Sequence, residues 1–206
     1  MPEDPTTLWA EFWRNFSQLV NISSVVDLSG WFGSAPKRTA LYRDRWLPLI
    51  ASSMGLELVR EFCHIDFAFC KRTPRGAQVP VILLESENQI EGSSHELRKL
   101  CCISAPVRIL LTWEDRTKTF SMWKRRAQHN DRIVRKWLEV IDDCDEIWPD
   151  NGIIRVVVAE KHVIPTPYLE FEALDLRDAT IDIPPIIRDI SGDALIQELQ
   201  STWHVL

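Results

Sequence analysis

The chain has 206 residues, of which 45% are hydrophobic and 26% charged, with a formal net charge of −6. This composition excludes a disordered or fibrous chain and fits a folded globular one with a sizeable core. The negative balance counts against a protein that coats nucleic acid non-specifically, though not against a local basic groove.

The longest apolar runs, "VPVILL" and "IIRVVVA", are too short to span a bilayer. The start "MPEDPTTLW" lacks the basic and apolar zones of a signal peptide. The expectation is a cytoplasmic protein with no membrane partner. Five cysteines (Cys63, Cys70, Cys101, Cys102, Cys144) form no CxxC pair. They read as buried free thiols, and the spacing of Cys63, His64 and Cys70 fits no zinc module.

In chain order, Asp4-Pro5 predicts a helix cap and first turn. Leu8, Trp9, Phe12, Trp13, Phe16 and Val20 then recur at helical spacing. That stripe is a core face or a docking face for a second copy in a homodimer. A second helix is predicted over Arg38 to Ser53, kinked or split by Pro48. "LELVREFCHIDFAFCKR" predicts two short strands alternating through Glu57, Val59, Glu61 and then His64, Asp66, Ala68. "TPRGAQ" is a turn, and "VPVILLESE" a third strand apolar enough to be central. "EGSSHELRKLCC" opens a helix capped by Ser93 or Ser94, with Leu97, Leu100 and Cys101 inward. "PVRILLTW" is another central strand, followed by a long helix with Ile133, Trp137 and Val140 or Ile141 on its apolar side. "IIRVVVAEK" and "YLEFEALDL" are late strands, "IDIPPIIRDIS" a proline-rich surface crossing, and "SGDALIQELQSTW" a closing helix. The fold class is α/β, a mixed central sheet flanked by helices in a single domain over 1–206.

Alternation across a strand points Glu85 and Glu87 to one face, with Val81 and Leu83 before them. If the second and third strands pair around the "TPRGAQ" turn, Asp66 lands beside Glu85. Gathered carboxylates repel unless a cation or protons compensate. Hard oxygen ligands suit Mg2+ or Mn2+, and such ions favour phosphodiester hydrolysis.

Asp66 on the second strand, Glu85-Ser86-Glu87 on the third, then a helix and another apolar strand, resemble the PD-(D/E)XK nuclease superfamily. Its core order is helix, three strands, helix, strand, which here runs from about Arg38 to Trp113. The resemblance implies a restriction-endonuclease-like core over about 36–115, with a helical N-terminal segment 1–35 and a helix/strand extension 116–206. It implies Mg2+ (or Mn2+) on Asp66 and Glu85, with Glu87 positioning water for hydrolysis of DNA. The sequence departs from the family at Glu87, where the motif has lysine, and at Ile65, where it has proline. Lys99 from the next helix is a substitute for the lysine, and Asp44 a further helix-borne acid. Lys71, Arg72 and Arg75 in the turn, and Arg125, Arg132 and Lys136 on one helical face, are the phosphate-binding candidates. Against each stands a plainer expectation. A charge run is a solvated face, Glu85 and Glu87 are strand-end charges, and His95 and His129 are surface histidines. The alternative function is a nuclease-fold module without turnover that binds nucleic acid or a protein partner.

Overall fold

The computed structural model describes residues 4–24, 27–28, 31, 34–115, 123–147, 152–162, 168–176, 180–181 and 185–189, with the side chains of 115, 123–131, 180 and 181 excepted. The predicted closing helix over 191–203 lies outside the described residues.

Helix α1 spans Pro5–Ile22, and Asp4 caps it by accepting the Thr7 amide. All six residues of its aromatic and aliphatic stripe are buried, so the face belongs to this chain's own core. Helix α2, Ala35–Leu41, continues through a π-helical turn, Tyr42–Trp46, into α3, Leu47–Ser53. The predicted second helix therefore begins earlier than Arg38, and the irregularity expected at Pro48 falls in the turn before it. Proline brings no amide to the preceding turn, and wider i→i+5 bonding accommodates the gap.

Strand β1 (Glu57–Phe62) and β2 (Ile65–Arg72) are antiparallel, as are β2 and β3 (Gln78–Glu87). Glu61, Cys63 and His64 have positive φ, so the alternation expected through Glu61 and His64 breaks at the β1–β2 turn. Helix α4 (Ser93–Cys101) leads to β4 (Val107–Asp115), and α5 (Trp123–Ile147) to β5 (Ile153–His162). Strands β3, β4 and β5 are parallel, because a helix separates each consecutive pair. Antiparallel β6 (Tyr168–Asp175) follows.

The proline-rich segment predicted to cross the surface starts at the end of β7 (Thr180–Ile181) and contains β8 (Ile186–Asp189), and the two strands pair with opposite ends of β6. Short edge strands tolerate neighbouring prolines, since the missing amide faces no further strand. Among the described residues the result is an eight-stranded mixed sheet with β1 to β7 in chain order.

The sheet separates two cores. One packs α1, Leu28, Trp31 and α2–α3 against Phe67, Phe69, Leu84, Ile109, Leu111 and Phe171. Phe16 and Trp31 each meet Phe171 edge to face, at 5.4 and 5.1 Å. The other packs α4 and α5, through Leu97, Leu100, Ile133, Trp137, Val140 and Ile141, against Ala68, Leu83, Leu110, Val156 and Val158. Pro80 cannot complete the ladder, and the β2–β3 register shifts between Phe69 and Cys70. That bulge puts Val81 in the first core and Leu83 in the second, contrary to the expected shared face. Cys63 and Cys102 are exposed, and only Cys70 and Cys101 are the fully buried thiols expected from the sequence.

Candidate functional site

The β2–β3 ladder ends at Phe67 opposite Leu84, so the next step brings Asp66 opposite Glu85. Glu85 is 0% exposed. It lies at the C-terminal end of β3, on the side covered by α4. Lys99 of α4 places its Nζ 2.6 Å from Glu85 Oε1 and 2.5 Å from Glu96 Oε2. Helical spacing explains that fork: Glu96 and Lys99 are neighbours on α4. Both Glu85 oxygens are buried, and neither has a hydrogen-bond partner beyond the Lys99 contact.

Burial pushes the Glu85 carboxyl up to about 8; the Lys99 ammonium opposes the rise, and the charges of Asp66 and Glu96 add to it. Burial alone would lower the Lys99 ammonium, but its hydrogen bonds to Glu85 and Glu96 hold it above the ordinary range. Sequence reasoning expected a cation or protons to balance these charges; the fold brings Lys99, the lysine it named, onto Glu85.

Asp66 is oriented by its neighbour. Its Oδ2 accepts the Ser86 amide at 2.9 Å and the Ser86 hydroxyl at 2.7 Å. Tyr42 donates in turn to Ser86 Oγ at 2.9 Å. Tyr42 comes from the π-helical turn, so α2–α3 reaches the site from the opposite face of the sheet. Burial raises the Tyr42 phenol above its ordinary value, which keeps it a donor. Asn88, which ends β3, accepts from Arg38 Nε at 3.3 Å. The Arg38 guanidinium lies 4.6 Å from the centre of the Trp113 ring. Sequence reasoning missed Tyr42 and Arg38; only their recurrence at i, i+4 on one helical face signalled a shared inward direction.

The remaining predicted residues are more dispersed. Glu87 accepts the Gln89 amide at 2.9 Å, a local turn that holds its carboxylate at the rim. Asp66, Glu85 and Glu87 do not close into a set with all ligand atoms within 4.8 Å. Asp44 is paired with Arg43 and Arg60. Lys71, Arg72 and Arg75 surround the β2–β3 turn, at the far end of β3. Seven residues from Gln78 to Glu85 make that separation roughly 23 Å. Arg72 is paired there with Glu57 at 2.8 Å. Arg132 and Lys136 are exposed on α5, while the side chains of Arg125 and His129 lie outside the described residues. His95 is exposed.

No protein-family model, curated protein or solved structure matches this chain. The fold is a mixed α/β sheet with helices on both faces. No described helix is long and apolar enough to cross a membrane.

Proposed function

We propose that the chain is a metal-dependent phosphodiesterase of the PD-(D/E)XK type acting on DNA, with its reacting centre at Asp66, Glu85 and Lys99. The observation that carries this reading is a fully buried Glu85 gripped by Lys99, with Asp66 beside it. An apolar core has no use for such a group unless it is functional or specifically paired. The order α2–α3, β1, β2, β3, α4, β4 supports the same reading.

The donors fit Mg2+ or Mn2+. Asp66 and Glu85 are hard oxygen donors on adjacent strands, and Mg2+ is typically held by one or two carboxylates with water and phosphate completing its shell. When bound, the ion would stabilise charge on phosphoryl oxygens and acidify a water. Ser86 and Tyr42 keep Asp66 oriented by a hydrogen-bonded relay from the other face. Lys99 takes over the role of the family's lysine, which the motif position, Glu87, lacks. Because Lys99 already contacts Glu96, it keeps a carboxylate partner when Glu85 turns to an ion. Glu87 stays at the rim and helps orient water.

A second reading is the same fold without turnover, serving as a DNA- or protein-binding module. The closure of Glu85 by Lys99 favours it, since the pair satisfies its own charge. Incubating pure protein with single- and double-stranded DNA in Mg2+ or Mn2+ separates the two. The first reading expects cleavage that Asp66→Asn and Lys99→Ala each reduce by at least about 100-fold. Cleavage that survives Glu85→Ala would overturn it. Salt-sensitive binding without cleavage would select the second reading.

A further inference from the structure

We infer a second cation site, independent of the first, formed by Glu160 and His162 of β5 with Glu170 of β6, for a divalent transition ion of the Zn2+ class. These side chains lie on the face covered by α4 and α5, at the carboxyl end of β5. Among the described residues they form the set of three whose ligand atoms all lie within 4.8 Å of one another. Register explains the gathering. Glu160 pairs directly with Glu170, and His162 follows Glu160 on the same face.

The imidazole distinguishes an ion site from a chance group of acids. Its Nε2 stands 3.3 Å from Glu160 Oε2 and 3.0 Å from Glu170 Oε2. At these distances the imidazole faces both carboxylates directly, and its Nε2 is buried. Zinc bonds of about 2.0–2.1 Å put neighbouring ligand atoms about 2.9 Å apart at right angles and about 3.4 Å apart in a tetrahedron. Both separations from His162 Nε2 fall within that interval. The ring is also held in advance: Tyr168 stacks on it at 4.2 Å with an interplanar angle of 6°. Fixed orientation of the histidine is what a metal site requires of its surroundings.

One nitrogen and two carboxylate donors suit Zn2+ better than Mg2+. Three protein ligands leave at least one position for water. A cavity of about 50 Å3 adjoins the site, with Glu160 in its wall beside Glu114, Glu172 and Trp137. That volume is enough to hold a water. The first site lies on β2 and β3, two strand spacings or about 10 Å across the sheet.

The test is a titration of the full-length metal-free protein with CoCl2 and ZnCl2. Saturable binding of Co2+ at this site is expected, with a visible d–d absorption that Zn2+ displaces. His162→Gln and Glu170→Gln should each weaken binding by at least about 100-fold, exceeding the loss typical of a residue that merely supports a ligand. Both side chains are partly accessible, at 15% and 17%, so the variants are expected to fold. Asp66→Asn should change affinity by less than about 2-fold, as for independent sites. If a variant fails to fold, histidine-selective NMR of the wild type decides: Zn2+ must shift the His162 Nε2 resonance. Absence of saturable binding, an unmoved His162 resonance, or binding abolished by Asp66→Asn and untouched by His162→Gln would each overturn the site.

Discussion

Replacing Glu85 by glutamine converts the electrostatics of the buried pair into a measurable pH effect. The ordinary carboxyl value of 4.5 becomes about 8 in the fold. Between those values the folded protein retains a proton that the unfolded chain has released. Protons bound preferentially by the native state make stability fall as pH rises. The contribution is fully present below about pH 4.5 and is lost as pH climbs through about 8. At about 1.36 kcal/mol per pH unit, that span corresponds to on the order of 5 kcal/mol. A domain stable by about 5–15 kcal/mol will register such a change clearly. Lys99 also has a raised value, but its contribution is lost only above its ordinary 10.5, outside this window. Asp27, Asp44 and Glu57 are lowered and titrate below it. Urea unfolding of wild type and Glu85→Gln at intervals from pH 5 to pH 8.5 isolates the effect, because other titrations cancel in the difference. The variant should gain on the wild type steadily with pH. A difference constant within about 0.5 kcal/mol would mean that Glu85 ionises in the fold as it does in water, and would refute the reasoning.

Other substitutions probe the frame around the site. Gly152 has φ +81°, and a Cβ there would meet the carbonyl oxygens of Ala105 and Pro106 at 2.4 and 2.5 Å. Gly152→Ala should therefore cost at least about 2 kcal/mol, read as a lowered Tm. Arg155 and Asp175 form a buried ion pair at 2.6 Å between β5 and β6. Asp175→Asn should cost about 3–5 kcal/mol in denaturant unfolding, because the charge left on Arg155 stays buried. Ser86→Ala removes the hydroxyl that bonds Asp66 and links it to Tyr42. It should cost about 1.5–3 kcal/mol, the range for a hydrogen bond to a charged group. The two-site picture adds that Mn2+ should raise the Tm of the wild type, with part of the shift lost in Asp66→Asn.

Some of this architecture was legible residue by residue. The α1 stripe and the inward face of α5 follow a period that only a helix satisfies. The juxtaposition of Asp66 and Glu85 was readable because they lie at matching distances from the turn along the two strands of one hairpin. The same hairpin arithmetic, taken in the other direction, puts Lys71, Arg72 and Arg75 at the opposite end of the strand. That separation was present in the sequence and only becomes plain once the ladder is drawn. The π-helical turn and the two edge strands were not readable. Pro48 announces a disturbance without saying on which side the backbone absorbs it, and strands as short as β7 and β8 carry too little pattern to stand out.

By itself, the order of residues determined the helices, the strands and which side chains alternate together, because those depend on periods of a few residues. Tertiary structure alone decided that Lys99 closes over Glu85. It also decided that Tyr42 orients Asp66 through Ser86, and that His162 meets Glu160 and Glu170. These encounters join groups from different elements. Their distances are set by strand register and by how helices seat on the sheet, and such positions come from the packing of the whole core instead of from any local stretch of chain.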